Sequence, residues 1–512
     1  MMDSQRRGAP LSGATRIDEA VFSQAAIRPD QTALVDGTDR IDYRTLAGLI
    51  ENAAQWIDAT APQTGAIGLL LDNSAQAVVA LLACFRLGRT VVPINTKNDT
   101  STVRHIVENA GIGLLLVAPK LANPQADQEF GTQVVQIWAD PGPDVANADP
   151  VVPRDPVQDA IVFYTSGSTG KPKGVVVTHS NLVHGADSVA HYLSVTPGLR
   201  IGAVLPVSFD AGLNWVMTGL ASGAEVHLLR YVFPKSLAND LARFKIEAML
   251  AVPTVFFALS EVAAPQDHTI RTMASTGGRM EASVVEKLKA SYQGLEFVVM
   301  YGLTEAFRAT HLPDALWAQN PTSIGRAIPH AAIHIMRDDS TEADIGETGE
   351  IVQSGPLVSN GYLNAPNAMK DRFGPCPPNS PYADTHPIAV YSGDFGYRDA
   401  AGLHYFVGRK DRLIKARGFR IAPEEIEKAM VAHCGLANVV VFGREHPSTG
   451  QRIVAVIEAT QDSLPALATV RDTLRPHLSG YMLPDEVREL EKFPLNSNGK
   501  FDVNKIVDLC TS

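Results

Sequence analysis

At 512 residues the chain is too long for a single ordinary core and predicts two or more domains. Apolar residues at 45% and charged ones at 19% describe a globular protein, and a net charge of −11 argues against nucleic acid or an anionic membrane as the main partner. Met1–Ser12 holds no apolar signal core, the run Ala77–Phe85 falls far short of a membrane span, and Cys84, Cys376, Cys434 and Cys510 are too scattered for a metal-ligand pattern, so the expectation is a cytoplasmic protein with free thiols and no membrane partner.

In chain order, Thr32–Val35 and Arg40–Tyr43 flank a turn at Asp36–Asp39 and predict a hairpin. Leu46, Leu49, Ile50, Ala53 and Ile57 recur at helical spacing, which predicts a helix from about Thr45. Strand Ile67–Leu71, helix Ser74–Leu87 with Gly88 as C-cap, strand Val91–Ile94, helix Thr102–Asn109 and strand Gly113–Val117 follow. Such alternation predicts a mostly parallel sheet covered on both faces. Residues 119–158, rich in Pro, Asp, Asn and Gln, read as irregular connection.

Beyond Lys173, Ser180 is positioned to cap a helix through about Tyr192. Strands at Ala203–Pro206 and Ala224–Leu229 bracket a helix near Leu213–Ser222. The pattern continues with strand Ala248–Val252, helices Val255–Val262 and Glu281–Ser291, and strand Phe297–Met300. From Ile324 the texture changes to short strands, Ala332–Ile335, Gly349–Val352 and Leu403–Val407, which predict a small β subdomain. A smaller α+β unit is expected after Asp411: strand Leu413–Lys415, helix Pro423–His433, strands Asn438–Phe442 and Arg452–Ile457, and helix Leu464–Leu478.

Tyr164-Thr-Ser-Gly-Ser-Thr-Gly-Lys-Pro-Lys-Gly174 joins the apolar runs Ala160–Phe163 and Val175–Val177, so it reads as a loop between buried strands. Its glycines allow close backbone approach, its hydroxyls donate, and Lys171 and Lys173 add charge, a combination suited to phosphates. It is not a Walker A loop, because no glycine sits five residues before Gly170 and proline follows Lys171. Tyr301-Gly-Leu-Thr-Glu305, Gly349-Glu-Ile351, Tyr391-Ser-Gly-Asp394, Gly408-Arg-Lys-Asp411 through Glu427, and Pro494-Leu-Asn-Ser-Asn-Gly-Lys500 follow it. This ordered set resembles the AMP-forming ligase superfamily, which contains acyl-CoA synthetases, nonribosomal-peptide adenylation domains and luciferases, across most of Tyr164–Lys500.

The resemblance implies an α/β fold. A large N-terminal domain, 1–408, would carry mostly parallel helix-covered sheets and the β subdomain, and a small mobile α+β C-terminal domain, 409–512, would hinge near Asp411. The implied chemistry is attack of a carboxylate on the α-phosphate of ATP, with Mg²⁺, followed by acyl transfer. By resemblance, Thr165, Ser166, Gly167, Ser168, Thr169, Gly170 and Lys173 hold phosphates. Glu305 is the metal ligand, with Thr304 beside the phosphate. Gly277, Gly278 and Tyr301 form the adenine site, with Arg279 also counted among the nucleotide-binding residues, and Asp394 and Arg409 contact the ribose. Lys500 bridges the substrate carboxylate and the α-phosphate during adenylation, and the loop carrying Lys415 replaces it for transfer.

Ser208-Phe-Asp-Ala-Gly212 is similar, without a gap, to the Phe-Asp-Ala-Ser element of amino-acid-adenylating domains, with Gly212 in place of the serine. The resemblance gives Asp210 the substrate ammonium and makes Ala211, Asn214, Leu250, Ala274, Thr276, Met300, Arg308 and Ala309 the side-chain pocket. Arg308 is positioned either to clamp a second substrate anion or to pair internally with Asp210, which would disable the ammonium reading. The helix opening Pro423-Glu-Glu-Ile-Glu resembles acyl-CoA ligases instead, so a plain acyl or aryl acid stays open as substrate. No carrier-type serine motif follows Lys500, which predicts a stand-alone enzyme whose acceptor is CoA, the phosphopantetheine thiol of a separate carrier protein, or an amine. A nucleotide-binding scaffold is the non-enzymatic alternative.

Overall fold

The computed structural model describes residues 11, 13–122, 125–138, 159–165, 172–410, 412, 414–416, 419–446, 450–459, 465–496 and 501–511. Its contacts divide the chain into two units. One comprises Met1–Ile333 with Gln353–Val390; the other comprises His334–Val352 with Tyr391–Ser512.

Two sheets build the larger unit. In the first, Gln133–Gln136, Ile112–Val117, Ala66–Leu70, Val91–Ile94 and Asp159–Thr165 lie side by side in parallel, and Lys173–Thr178 closes the edge antiparallel to Asp159–Thr165. The expected strand–helix alternation is present. Helix Ala75–Leu87 starts where the Ser74 hydroxyl accepts from Ala77 N at 3.2 Å and stops at Gly88, whose φ of +61° is the left-handed cap expected of it. Helix Thr100–Ala110 begins earlier than expected because Asp99 caps it, accepting from Thr102 N at 2.9 Å. The segment expected to be irregular instead holds helix Ala126–Phe130 and the edge strand Gln133–Gln136. Among the described residues one strand pairs with it, and its glutamines are exposed, so no apolar run announces it.

The second sheet runs parallel through Thr32–Asp36, Glu225–Leu228, Arg200–Ala203, Ala248–Ala251, Thr272–Ser275 and Glu296–Tyr301. Asp39–Asp42 forms the expected hairpin with Thr32–Asp36. The helix after it starts at Tyr43, not Thr45, because Asp42 caps it by accepting from Thr45 N at 2.7 Å. Tyr43 is fully buried, and its hydroxyl donates toward Leu220 O at 3.0 Å and Ala224 O at 2.8 Å.

Three expectations shift along the chain. Thr178, not Ser180, caps helix His179–Tyr192 in a reciprocal box with Asn181. The strand expected at Ala203–Pro206 is Arg200–Ala203, because the chain turns at Pro206, whose carbonyl accepts from Phe209 N at 3.0 Å. That early turn lets the next helix begin at Asp210 and run to Ala221. Helices Ile17–Ile27 and Pro234–Arg243 had no counterpart in the sequence reading. The first is anchored by a buried ion pair, Arg16 Nε to Asp18 Oδ1 at 3.1 Å.

From Thr310 onward short strands replace the parallel pattern, Thr310–Leu312 with Ser323–Ala327 and Ile388–Arg398 with His404–Arg409 pairing antiparallel, and Gly349–Ser354 and then Ala332–Met336 lying beyond Ile388–Arg398 in the same sheet. In the smaller unit, hairpin Ile414–Ala416/Phe419–Ile421 and strands Val439–His446, Gly450–Glu458 and Glu486–Leu490 form an α+β sheet. Alternate residues of Val439–Phe442 face opposite cores, Val441 toward Ile426, Met430 and Leu474, and Val440 and Phe442 toward Phe493 and Ile506. The helix expected at Leu464–Leu478 spans Leu467–Leu474. All four cysteines are free thiols, and no helix among the described residues is long and apolar enough to cross a membrane.

Candidate active site

The carboxyl ends of three parallel strands define one face of the larger unit. Leu250 lies opposite Ala274 and Ala274 opposite Val298, so Leu250, Ala274, Met300 and Tyr301 reach the same end of the sheet, where open α/β folds bind ligands. Thr276 follows and is tied back by its N–H to Ala251 O at 3.1 Å. Gly277 has φ +82°, and a side chain on Gly278 would meet Pro253 Cγ at 3.3 Å, so the chain here runs as bare backbone over the strand ends. Arg279 Nε sits 3.4 Å from Glu281 Oε1, with both side chains about half exposed.

Helix Asp210–Ala221 presents Asp210, Ala211 and Asn214 from its first turns, all buried. Asp210 is only 5% exposed. Its Oδ1 accepts from Ala211 N at 2.6 Å and its Oδ2 from the Thr304 hydroxyl at 2.7 Å. Among the described residues no cation pairs with it. The internal Asp210–Arg308 ion pair weighed from sequence is therefore absent from this structure.

The strand Glu296–Tyr301 leads through Gly302 into the single turn Thr304–Ala306, and Phe307 leaves it with φ +56°. That left-handed conformation is costly for a non-glycine residue and survives because its surroundings fix it. Gln353 Nε2 donates to Arg308 O at 2.6 Å, Ser359 N donates to Glu305 O at 2.9 Å, and the buried Phe307 ring lies where a side chain on Gly185 would otherwise project. The turn thus holds Thr304 against Asp210 and carries Glu305, whose Oε1 accepts a short hydrogen bond from the Tyr362 hydroxyl. Tyr362 also faces Lys173, whose ammonium is 5.9 Å from the ring centroid. Sequence reading missed Tyr362, Gln353 and Ser359; their stretch follows Gly349-Glu-Ile351, but nothing in their spacing announces a link to Glu305.

Arg308 is 3% exposed. Its Nη1 donates to Phe307 O at 3.1 Å, whereas Nε and Nη2 have no partner among the described residues. Ala309 is fully buried and its N–H returns to Tyr301 O at 3.2 Å. Nearby, the Tyr192 hydroxyl lies 2.9 Å from Met300 Sδ and its ring stacks on His311 with centroids 4.5 Å apart. Burial first, then the charges of His191 and Arg326, lower the His311 pKa to about 4, which keeps it neutral. A surface cavity of about 380 Å³, lined by residues including Ser359, Met369, Phe373 and His386, carries none of the predicted site residues.

The predicted phosphate loop lies between the antiparallel strands Asp159–Thr165 and Lys173–Thr178, where Thr165 is opposite Lys173. Ser166, Gly167, Ser168, Thr169 and Gly170 lie outside the described residues, as do Asp411 and Lys500; Lys415 is placed only as backbone of strand Ile414–Ala416. In the smaller unit, Asp394 and Arg409 are register partners on adjacent strands, with Arg409 Nε 3.8 Å from Asp394 Oδ1. Glu350 Oε1 accepts from Gly393 N at 2.8 Å and fixes the turn before Asp394.

Comparison with known proteins defines the class of molecule. The family described as AMP-binding enzyme matches residues 21–363, and the AMP-binding enzyme C-terminal domain matches residues 425–500. The chain therefore belongs to the AMP-binding enzyme family, the adenylate-forming ligases. It is 27% identical to tyrocidine synthase 1 of Brevibacillus parabrevis over 96% of its own length and 45% of that protein. It is 30% identical to the phosphinothricin tripeptide synthetase PhsC of Streptomyces viridochromogenes, covering 94% of this chain and 44% of that one. The chain thus spans under half the length of these curated relatives. Among solved structures, the o-succinylbenzoate CoA synthetase of Bacillus subtilis, captured with its acyl-adenylate, superposes with a TM-score of 0.84 at 25% identity over 95% of this chain and 97% of that one. ATP-bound MatB from Rhodopseudomonas palustris shares the fold, with a TM-score of 0.86 at 22% identity over 97% and 98% of the two chains.

Proposed function

We propose that this protein adenylates a carboxylic acid bearing an amine and then passes the acyl group to a thiol, either of CoA or of a carrier protein's phosphopantetheine. One observation supports the amine above all: Asp210 is a buried carboxylate held by two neutral donors, with no cationic partner among the described residues. A buried charge left in this way is unfavourable until an opposite charge arrives, and a substrate ammonium supplies one. In the first step a substrate carboxylate oxygen bonds to the α-phosphorus of ATP, the bond to the bridging oxygen breaks and pyrophosphate leaves. In the second, the thiolate sulfur attacks the acyl carbon and AMP leaves.

The residues present fit a nucleotide with one magnesium ion. No cluster of three ligating side chains exists among the described residues, but Glu305 offers a single carboxylate, which suits an ion that keeps several waters and phosphate oxygens. In this reading the ion screens the triphosphate. Lys173 and the loop Thr165–Gly170 hold phosphates, the bare backbone at Gly277 and Gly278 admits the adenine beside Arg279 and Tyr301, and Asp394 and Arg409 take the ribose. Thr304 links the two halves of the site, because one hydroxyl orients Asp210 from the turn that carries Glu305. Lys500 acts in adenylation and Lys415 in transfer, with domains 1–408 and 409–512 alternating about Asp411. A plain acid activated for CoA is the second reading, favoured by the likeness to o-succinylbenzoate CoA synthetase.

Acid-dependent ATP–pyrophosphate exchange with amino acids and their deaminated analogues, on wild type and Asp210→Ala, tests the amine. The ammonium–carboxylate contact predicts a loss of about 10- to 100-fold in kcat/KM for the amino form only. Equal effects on both forms would promote the plain-acid reading.

A further inference from the structure

We propose that the activated acid carries a second carboxylate, read by the side-on edge of Arg308 together with the Asn214 amide; this deepens the adenylation reading and rests on it. Arg308 is 3% exposed, and among the described residues its guanidinium makes one hydrogen bond, from Nη1 to the Phe307 carbonyl at 3.1 Å. The two unpartnered nitrogens, Nε and Nη2, share one edge of the planar guanidinium. That edge presents two parallel N–H groups, the fork that a carboxylate accepts bidentately.

Asn214 supplies an independent observation. It is 1% exposed, and neither Oδ1 nor Nδ2 has a partner among the described residues. It stands one helical turn beyond Asp210, on the same side of helix Asp210–Ala221. Its Nδ2 and the Phe307 ring both crowd the point where a side chain on Gly185 would project, at 3.1 Å and 2.4 Å, which brings Asn214 beside the residue preceding Arg308. Two buried polar side chains with open hydrogen-bonding capacity are costly in a satisfied core and expected where a polar ligand docks. Asp210 for the ammonium and the Arg308 fork for an anion select an amino acid with an anionic side chain, while the α-carboxylate remains free for adenylation.

The test is pyrophosphate exchange with a series of amino dicarboxylic acids of increasing chain length, their side-chain amides, and unbranched neutral amino acids of matching length. We expect one dicarboxylic member to exceed its amide by about a hundredfold or more in kcat/KM, since a site built around a charged contact rejects the analogue lacking it. Arg308→Met should collapse that ratio by lowering kcat/KM for the dicarboxylic member toward that of its amide. Thermal unfolding without substrate supplies a second readout. Arg308→Met should be at least as stable as wild type, because it removes a buried charge with an unpaired edge; a fall in its midpoint would show a structural guanidinium and overturn the proposal. So would a neutral amino acid or amide preferred by wild type. The two readings fail separately. If dicarboxylic acids without an amine exchange as well as the amino forms but still require Arg308, the ammonium assignment falls and this one stands. Dependence on Asp210 without dependence on Arg308 gives the reverse.

Discussion

At Glu305 the Tyr362 hydroxyl hydrogen-bonds one carboxylate oxygen and so fixes the direction in which the carboxylate points. If this carboxylate serves a metal-bound triphosphate, Glu305→Gln should raise the Mg²⁺ concentration needed for exchange and recover partly at high Mg²⁺. Tyr362→Phe should shift the Mg²⁺ requirement in the same direction, by about tenfold, since such supporting hydrogen bonds tune affinity. Unchanged Mg²⁺ dependence in both variants would remove Glu305 as the ligand. In the smaller unit, Arg412 donates to Glu424 at 2.8 Å and to Glu427 at 2.6 Å, so one guanidinium serves two carboxylates. Burial first, opposed by Arg412 and reinforced by Glu427, raises the Glu424 pKa to about 7. Because that value lies above the unfolded one, the folded chain keeps a proton that the unfolded chain sheds. Stability should therefore fall as pH rises from about 4.5 to about 7 and level off above, by at most about 3 kcal/mol, and Glu424→Gln should flatten the trend. Carbon-13 NMR of labelled glutamates, with Glu424→Gln for assignment, checks whether one carboxyl titrates near neutrality. Residue types at Asp210 and Glu305 were legible from their motifs. The orientation of Arg308 was not, because the left-handed turn at Phe307 sets it and no spacing rule encodes that turn.

Helix Asp210–Ala221 shows how an element delivers a site. A side chain added at Gly212 would come 2.1 Å from Pro206 O and 2.7 Å from Leu205 O, so the helix rests directly on the preceding turn. Gly212, which departs from the serine of the similar motif, is thus what lets Asp210 sit this deep. Gly212→Ala should displace the helix start. We expect a destabilisation of about 1–3 kcal/mol, the usual cost of overpacking, with a raised KM for the acid and a nearly unchanged KM for ATP. Equal effects on both constants would mean that the helix does not position the acid. The same scale explains which elements the sequence disclosed. Ile112–Val117 and Ala75–Leu87 are buried on nearly every side and read as apolar runs. Gln133–Gln136 is an edge strand with polar ends, and Ile17–Ile27 buries the charged pair Arg16–Asp18, so neither shows the expected periodicity. Helix starts slipped wherever an upstream side chain such as Asp42, Asp99 or Thr178 took the cap.

For the whole molecule, the proposed function assigns opposite duties to two lysines of the smaller unit, and the assignment separates experimentally. Lys500 is proposed to act mainly on the transition state of adenylation, so Lys500→Ala should abolish pyrophosphate exchange while ATP binding stays nearly intact. Lys415 is proposed to act in the transfer step, so Lys415→Ala should still form acyl-adenylate but pass it slowly to the thiol. If alternation about Asp411 links the two steps, Asp411→Pro, which fixes φ near −65°, should resemble Lys415→Ala more than Lys500→Ala. Single-turnover measurement of acyl-adenylate formation, then of transfer from preformed adenylate to CoA or a phosphopantetheinylated carrier, reads both steps on the intact chain. Its thiol preference also decides between the two acceptors. Normal transfer in both Lys415→Ala and Asp411→Pro would overturn alternation. Loss of both steps together in Lys500→Ala, with ATP binding gone, would return that lysine to a structural role.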